Sequence, residues 1–456
     1  MKCSRFAIVL LAALLMACSS YYQSNQSFNR AFQSGQLTDA LASVQSGAYK
    51  KNSNQFLYQV NSALILSMLG KYDKSNELFE QAFIYGEDYR ANYLYEAASY
   101  LTNPTFTSYK GEDHEHLMVL YYKALNYLKE KKTEEALVEC RRLNIRLQQL
   151  SDRYTSSQHF RRDAMIHTVM GLIYESDRDY NNAYIAYKNA YEAYRDDYGR
   201  LFNVEVPQQL KIDLMRTAYL TGFGEDFQKW KNEFDMKNFK VNEPDGEAVL
   251  LWHTGLAPVK IEWGVTMAIS VSGNNVMFSN QEFKQQFPFQ DDQKDELEAL
   301  KKMQVLRVAF PKYAERPVFY ETATASANGK DFPLQKMEDV NAVAMLCLKE
   351  RMCFEFGKAL LRMAVKKTLE FQVRKENQLA GSALGILNAL TEHADTRSWQ
   401  TLPHTICYAR IPLHIGENDI VLRMKGNNGE ASHSFKYNVK KGDILFHTFS
   451  SLESLY

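Results

Sequence analysis

The chain has 456 residues, of which 45% are hydrophobic and 24% are charged, and its 54 basic residues balance its 54 acidic residues. These proportions are typical of a globular protein with room for two or three domains. The even charge balance argues against a nucleic-acid-binding protein and against a charged tail.

The amino terminus has the layout of an export signal that ends at Cys18. Lys2 and Arg5 precede an apolar run from Phe6 to Met16, and the small residue Ala17 stands directly before the cysteine. A bilayer span needs about 20 apolar residues. Because this run is much shorter, it predicts a cleaved signal peptide over residues 1–17 and not a membrane helix.

The run Leu15-Met16-Ala17-Cys18 resembles the lipobox of bacterial lipoproteins. This resemblance implies cleavage before Cys18 and acylation of Cys18, which would anchor the protein because each buried methylene contributes about 0.8 kcal/mol. Ser19 follows the cysteine where an aspartate would imply retention in the inner membrane. The expected location is therefore the cell envelope, at the outer membrane facing the periplasm. An ordinary cleaved signal that happens to contain a cysteine is the alternative.

A repeat occupies the first half of the chain. The segment from Met170 to Ala190 resembles a tetratricopeptide (TPR) repeat in the spacing of Gly171, Tyr174, Tyr180, Ala183, Tyr187 and Ala190. Small residues suit the places where two antiparallel helices approach closely, and tyrosines fill the gaps between hairpins. The small residue of the second helix recurs at Ala40, Ser75, Ala136 and Ala183. We therefore predict a TPR-like α-solenoid over residues 18–240, with a fifth hairpin from Gln208 to Phe239; a generic helical bundle is the alternative for the weaker repeats.

Hairpins of this kind stack into a curved surface, because one hairpin cannot bury its own apolar face. In tetratricopeptide proteins the first helix of each pair lines the concave side, which binds peptides or proteins. The resemblance implies a partner-binding groove lined by Leu57, Val60, Leu64, Met118, Tyr121, Leu125, Leu128, Met165, Thr168, Leu172 and Glu175. Since most of these residues are apolar, the groove is expected to hold either an apolar partner helix or the protein's own second half. With an open groove, charged residues at positions 121 and 125 would weaken partner capture and leave the fold intact.

The pattern changes to short strands near residue 241. Strands rich in β-branched and aromatic residues are predicted over 248–252, 259–272, 305–310 and 318–325, with a surface helix over 291–303. A long helical segment is predicted from about 340 to 395. Four more strands, over 405–413, 419–425, 432–439 and 444–449, are separated by turn signals and predict a hairpin meander. The fold class is therefore α+β multidomain, with a mostly antiparallel β-sandwich-like domain over 241–456 and a helical insertion at about 340–395.

Two stretches of the second half are the most motif-like. These are Trp252–Lys260 and Ala394–Pro403. Together with the lipobox and the repeats, they resemble a family of uncharacterised bacterial lipoproteins with tetratricopeptide repeats. The resemblance covers nearly the whole chain and implies no established activity. It implies envelope proteins as partners, among them other outer-membrane lipoproteins such as those resembling activators of penicillin-binding proteins.

No motif of a known catalytic or metal site is present in the sequence. Asp395, Arg397 and His404 lie close together and could orient a substrate, but such a group more often stabilises a corner of the fold. A nucleophile formed by Cys407 and His404 would need two residues that a regular strand places on opposite faces. His114-Glu115-His116 is assigned to a solvated loop before a helix. We therefore expect no catalysis, no cofactor and no metal.

The sequence thus predicts a non-catalytic, membrane-anchored envelope lipoprotein whose repeats act as a protein–protein interaction scaffold or assembly factor. The alternative is a glycan- or peptidoglycan-binding lipoprotein, or a regulator of cell-wall synthesis, that uses the β-domain. The spacing of Cys140, Cys347, Cys353 and Cys407 leaves open whether they form disulfides.

Overall fold

A computed structural model of the protein describes residues 21–46, 52–90, 107–151, 162–272, 275–280, 285–290, 305–382, 393–427 and 429–452. The predicted signal peptide, Cys18 and the predicted helix over 291–303 lie outside these residues. Within the described ranges, no helix combines the length and the apolar character that crossing a membrane requires.

Five helical hairpins follow one another in the described part of the first half. After the short helix α1 (Tyr21–Ser24), the hairpins are α2 (Gln26–Gln33) with α3 (Leu37–Val44), α4 (Gln55–Met68) with α5 (Tyr72–Arg90), α6 (Asp113–Lys129) with α7 (Thr133–Ser151), α8 (Ala164–Ser176) with α9 (Tyr180–Ala193), and α11 (Gln208–Leu220) with α12 (Gly224–Glu233). A π-helical turn (Tyr194–Tyr198) and α10 (Gly199–Phe202) connect the fourth hairpin to the fifth. Each hairpin packs on the next, so the chain forms the predicted array of helical repeats.

The five hairpins share one turn geometry, which explains the repeat seen in the sequence. Each turn has three residues, and the middle residue has a positive φ of 52° or more. The amide of the third turn residue donates to a carbonyl five residues earlier, as from Lys71 to Leu66 at 2.8 Å and from Asp179 to Tyr174 at 2.9 Å. Glycine occupies the middle position in three turns, since it adopts a positive φ without strain. The middle residues are Gly35, Gly70, Lys131, Arg178 and Gly222.

Gly171 is required by close packing within the fourth hairpin. A Cβ atom at this position would overlap the ring of Tyr187 on the facing helix, and that ring is fully buried. We expect Gly171→Ala to lower the free energy of unfolding by about 1–3 kcal/mol through overpacking. The matched control is Gly199→Ala, because a Cβ there would meet no atom closer than 3.9 Å. Urea denaturation of both variants tests this, and equal stability would contradict the close helix contact.

The second half contributes a sheet that lies against the hairpins, which we call the central sheet. Its strand order is β12 (Ile444–Ser451), β1 (Gly246–Thr254), β9 (Thr405–Leu413) and β8 (Gln335–Asp339). Strand β9 pairs antiparallel with β1 and with β8, whereas β1 and β12 run parallel. All nine residues of β1 are buried, so both faces of this sheet are covered.

A second sheet packs on the outer face of the central sheet. It contains β11 (Gly429–Val439), β10 (Gly416–Gly426), β6 (Thr322–Ala327) and β7 (Lys330–Pro333). Leu250, Trp252 and Ile411 of the central sheet share one apolar cluster with Ile420 and Leu422 of the second. A third sheet contains β4 (Gln285–Gln290), β3 (Asn275–Asn280), β2 (Val259–Ser272) and β5 (Val305–Ala314), all antiparallel. The second half is therefore built of separate and mostly antiparallel sheets.

Two details of the predicted topology are wrong. The last four strands do not form a meander, because only β10 and β11 pair with each other, while β9 and β12 belong to the central sheet. Strand β9 is buried at eight of its nine positions, which suits a strand enclosed between two layers and not one in a surface meander. The predicted helical insertion is present as α13 (Val340–Glu376) between β8 and β9, but residues 393–395, at the end of the predicted segment, are not helical.

Candidate functional site: the occupied concave face of the hairpins

The predicted groove residues are all buried, and several of them contact the protein's own second half. Each side chain is at most 6% exposed, and most belong to a core that also contains residues of the central sheet. Of the two alternatives left by the sequence, self-occupation is therefore what the structure contains. The eleven buried residues are Leu57, Val60, Leu64, Met118, Tyr121, Leu125, Leu128, Met165, Thr168, Leu172 and Glu175.

Alternation along the central sheet explains how it covers the groove. Val249 and Leu251 of β1 point to the helical side and join its core, whereas Leu250 and Trp252 point to the second sheet. Apolar residues on the helices need an apolar cover, and one side of β1 contributes to it. The groove is thus not open to an apolar partner helix in this structure.

The contacts of Tyr121 contradict the prediction that charged residues at positions 121 and 125 leave the fold intact. The hydroxyl of Tyr121 lies 3.0 Å from Nε2 of His253, which is on β1 and is itself buried. Burial lowers the pKa of His253 to about 3, so this imidazole is neutral at ordinary pH. A charged residue at position 121 or 125 would therefore be buried without a partner and would disrupt the fold together with any partner capture.

A segment of the second half that has no regular secondary structure packs against the first three hairpins. We call residues 394–403 the strap; it contains neither helix nor strand and matches the second motif of the sequence. The first motif, Trp252–Lys260, also contacts the strap, because the amide of Ala257 donates to the carbonyl of Leu402 at 2.7 Å. The buried guanidinium of Arg316 also donates to the carbonyls of Ala257 and Gln400.

Arg397 anchors the amino-terminal end of the strap. Its guanidinium donates two bonds to Asp395, at 2.8 and 2.7 Å, and it lies 5.2 Å from the centre of the Tyr109 ring. It also donates to the carbonyl of Ser53 at 2.9 Å and to that of Thr107 at 3.0 Å, which precede helices α4 and α6. The guanidinium thus ties two hairpins to the strap, which supports the structural interpretation of Asp395 and Arg397.

The middle of the strap uses an aromatic ring and hydrogen bonds. The ring of Trp399 packs against Phe79 and Tyr122, which stack on each other, and its backbone amide donates to Glu115 at 2.6 Å. Thr401 donates from its hydroxyl to Asn61 on α4 at 2.8 Å. The hairpins therefore bind this segment through polar side chains on the helices and one buried aromatic anchor.

A buried ionic cluster joins the fourth and fifth hairpins to the central sheet. Arg410 on β9 forms ion pairs with Glu175 at 2.6 Å and with Asp213 at 3.1 Å, and it also forms an ion pair with Glu247 on β1. Arg216 on α11 pairs with the same three carboxylates. We call these five residues the ionic cluster.

The electrostatics of the ionic cluster follow from its burial. Burial raises the pKa of Glu175, but the adjacent Arg410 and Arg216 outweigh burial and leave the pKa below its usual value. Burial raises the pKa of Asp213 to about 6 in spite of the same two guanidinium groups. With three carboxyl groups for two guanidinium groups, a proton on Asp213 balances the charge of the cluster.

His114-Glu115-His116 is not a solvated loop, so that assignment was wrong. The three residues form the first turn of α6 and are at most 4% exposed. Glu115 closes a capping box by accepting from the amide of Glu112 at 2.9 Å, and burial raises the pKa of Glu115 to about 7. Glu112 in turn forms ion pairs with Lys260 of β2 and Arg351 of α13, which connect the third sheet and the long helix to the hairpins.

The residues considered as catalytic candidates have the following contacts in the structure. No group of three His, Cys, Asp or Glu side chains among the described residues has the geometry of a metal site. His404 contacts Glu315 at 3.0 Å and Thr405 at 2.8 Å, and burial raises the pKa of Cys407 to about 12, which disfavours a thiolate. Cys140, Cys347 and Cys407 are free thiols.

The sequence interpretation missed Arg410, which is the centre of the ionic cluster. The sequence does contain one indication of this role, because Arg410 stands between Ala409 and Ile411 in a strand that is otherwise mostly apolar. A charge at such a position is retained only where partners surround it. Asp213 and Glu247 gave no comparable signal, because each occupies an ordinary position for an acidic residue in a helix or at the start of a strand.

Comparisons with known proteins leave the family open. No family model matches the chain, and no curated protein matches it. Solved structures overlap about half of it: BtubC (BKLC) from P. vanneervenii is 17% identical, with 49% of this chain and 79% of that chain covered at a TM-score of 0.29. MamA AMB-1 is 12% identical, with 48% and 92% covered at 0.27. The Rap conjugation gene regulator of the plasmid pLS20, in complex with the Phr* peptide, is 13% identical, with 47% and 54% covered at 0.28. At these TM-scores the overlaps carry no argument, and the repeat assignment rests on the hairpins themselves.

Proposed function

We propose that this protein is a non-catalytic, lipid-anchored scaffold of the bacterial envelope that binds short segments of other proteins on its helical hairpins. The observation that carries the proposal is the strap, which the hairpins hold through Asn61, Glu115 and an aromatic pocket for Trp399. A surface that binds ten residues of its own chain in this way has the chemistry to bind a similar segment of a partner.

The strap also sets the condition for partner binding in the groove. A partner segment has to replace the strap, so it needs a basic residue, an aromatic residue and a hydroxyl at the spacing of Arg397, Trp399 and Thr401. Such an exchange conserves the hydrogen bonds of the groove, and its cost is therefore mainly the exposure of the displaced strap. A partner that lacks this pattern would bind to the outer surface of the array, where Tyr219 is 55% exposed.

Photo-crosslinking in intact bacteria tests the scaffold and locates its binding surface. A photoreactive phenylalanine at position 53 reports on the groove, because Ser53 is half-buried and its carbonyl contacts Arg397 of the strap. The same residue at position 219 is the matched control on the exposed surface. Cross-links from position 53 to an identified envelope protein would support groove binding. Cross-links from position 219 alone would move the binding surface to the outside, and a lack of cross-links to other proteins from both positions would contradict the scaffold.

The lipid anchor is tested by Cys18→Ser. We expect the wild-type protein to sediment with membranes after lysis and the variant to remain with the periplasmic fraction, because acyl chains attached to Cys18 supply the anchor. Mass spectrometry of the mature amino terminus is the direct measurement. A variant that sediments with membranes as completely as the wild type would rule out this cysteine as the anchor.

A row of aromatic and histidine side chains favours the alternative function, glycan or peptidoglycan binding with regulation of cell-wall synthesis. The row lies where the edge strands β11 and β12 meet: the ring centres of Phe435 and His447 are 4.3 Å apart, and those of His433 and Phe449 are 4.5 Å apart. Partly exposed aromatic rings can stack on sugar faces. Sedimentation of the purified protein with cell-wall sacculi, compared between wild type and Phe435→Ala, separates this function from the scaffold.

A further inference from the structure

Two buried carboxyl groups share one tyrosine at the junction between the fourth hairpin and the central sheet. The hydroxyl of Tyr198 lies 2.8 Å from Oε2 of Glu338, on β8, and 3.3 Å from Oδ1 of Asp163, which caps α8. Asp163 is 4% exposed, Glu338 is 3% exposed and Tyr198 is fully buried. These contacts connect the helical array to the edge strand β8 of the central sheet.

Counting hydrogens shows that the arrangement needs an additional proton. A phenol has one proton, so the Tyr198 hydroxyl donates to only one of the two carboxyl groups. The second contact is a hydrogen bond only if that carboxyl group is protonated and donates to the phenol oxygen. The amide of Ile166 also donates to Oδ1 of Asp163, and the amide of Asp339 donates to Oε1 of Glu338. These two bonds favour the charged carboxylates, but they do not offset burial, which raises both pKa values.

A small cavity borders both carboxyl groups. It has a volume of about 20 Å³ and is lined by Asp163, Glu338, His114 and the apolar residues Leu117, Met118, Met165, Val340 and Val343. Its surface is almost entirely apolar, so it offers the two carboxyl groups no polar partner.

We propose that Asp163, Tyr198 and Glu338 form a proton-binding site that couples the docking of β8 on the fourth hairpin to pH. The protonated site is fully hydrogen-bonded and docks β8 tightly, whereas loss of a proton leaves a buried charge and weakens the docking. The site is independent of the lipid anchor and of the strap.

The pKa shifts agree with this geometry. Burial raises the pKa of Asp163 to about 6, and burial followed by the proximity of Asp163 raises the pKa of Glu338 well above its usual value. An acid whose pKa is raised in the folded state stabilises it fully below the unfolded pKa, and this stability is lost as the pH rises through the folded pKa. For Asp163 the loss therefore occurs between about pH 4 and pH 6, and for Glu338 it continues to higher pH.

The neighbouring titratable groups do not compensate a charge on Asp163. His114 and Tyr121 face the site from α6, Cys140 from α7, Tyr194 from the π-helical turn and Asp339 from β8. Burial lowers the pKa of His114 to about 4, so it is neutral where Asp163 ionises. The nearest basic groups pair elsewhere, Arg162 with Asp196 and Asp197, and Lys336 with Asp339.

Asp163→Asn in the full chain tests the proposal. Asparagine is an equally good helix cap but cannot ionise. We expect the docking equilibrium of the variant, relative to the wild type, to become about tenfold more favourable between pH 5 and pH 8. The measurement is hydrogen exchange of the β8 amides, corrected for intrinsic rates. Asp419→Asn is the matched control, because this carboxylate is 68% exposed and should give no pH-dependent difference.

A second measurement tests whether the site holds a proton, and it does not depend on the folding of Asp163→Asn. At pH 7 the infrared difference spectrum of wild type minus Glu338→Gln should show a protonated carboxyl band of Glu338, because the contribution of Glu115 is common to both proteins and cancels. A ratio between Asp163→Asn and wild type that stays constant from pH 5 to pH 8 would overturn the coupling. An unchanged carboxyl band in Glu338→Gln would overturn the proton-binding site itself.

Discussion

Arg410→Ala is expected to lower the free energy of unfolding by about 3–5 kcal/mol, the largest effect of any single substitution proposed for this protein. The side chain is 2% exposed and pairs with Glu175, Asp213 and Glu247. Its loss leaves three buried carboxyl groups with Arg216 as their remaining guanidinium partner within the ionic cluster. The energy lost is mainly the cost of buried, uncompensated charge and to a lesser degree the energy of the ion pairs themselves.

The pH dependence of the Arg410→Ala effect has a definite sign. In the wild type, Arg410 and Arg216 keep the pKa of Glu175 below its usual value despite burial, so Glu175 is charged at neutral pH. Without Arg410 the carboxyl groups of the ionic cluster gain affinity for protons, and protonation removes the buried charge. The stability difference between variant and wild type should therefore be largest near neutral pH and should shrink as the pH falls towards 5.

Matched variants make the Arg410 prediction specific. The control is Arg423→Ala, since the pair of Arg423 with Asp331 is exposed and should contribute less than about 1 kcal/mol. Adding Glu175→Gln to Arg410→Ala removes one of the unpaired carboxylates and should restore part of the loss. Urea denaturation at pH 7.5 and pH 5 provides the measurement. A loss below 1 kcal/mol for Arg410→Ala, or a loss that grows on acidification, would contradict the role of the cluster.

Local features of the fold could be predicted from the sequence because local residues determine them. The hairpin turns at Gly35, Gly70 and Gly222 need a positive φ, and small residues such as Ala183 mark the crossing of two helices within about 20 residues. Strand positions could be predicted for the same reason: β2 has the predicted limits, and β9 also has them.

The topology and the occupant of the groove depend on contacts between distant parts of the chain. Strand β12 pairs with β1 across about 200 residues, and Thr401 bonds Asn61 across 340 residues. Apolar groove residues indicate that something covers them but not what covers them, because hydrophobic burial is not directional. For this reason the sequence left the partner helix and the protein's own second half as equal alternatives.

The buried polar groups were the hardest to predict. His114-Glu115-His116 has the composition of a solvated loop, and it is buried because Tyr109, Trp399 and Glu112 supply hydrogen bonds to Glu115. A charged residue is stable in a core only where distant partners meet it, and one sequence contains no record of those partners. The ionic cluster and the site at Asp163 were missed for the same physical reason.

Arg397→Ala is the second substitution with a large expected effect, a loss of about 3 kcal/mol in the free energy of unfolding. The guanidinium is 4% exposed and donates to Asp395, to the carbonyl of Ser53 and to that of Thr107. Removing it leaves two carbonyls and a carboxylate without these donors at the point where the strap meets two hairpins. The strap should then detach more readily from the groove, which hydrogen exchange of residues 397–402 would detect.

Two further variants separate this anchoring role from a catalytic one. Arg397→Lys keeps the charge but cannot reproduce the planar fork that reaches Asp395 and both carbonyls, so it should retain less than half of the lost stability. Asp395→Asn should cost less than Arg397→Ala, because the carboxylate is 25% exposed and Arg397 retains its bonds to the hairpins. If Arg397→Ala instead leaves unchanged both the free energy of unfolding and the hydrogen-exchange protection of the strap amides, the guanidinium does not anchor the strap. That result would favour the enzyme hypothesis for Asp395 and Arg397. A loss of protection confined to the strap would show that the groove of the hairpins becomes accessible when one ionic anchor is removed.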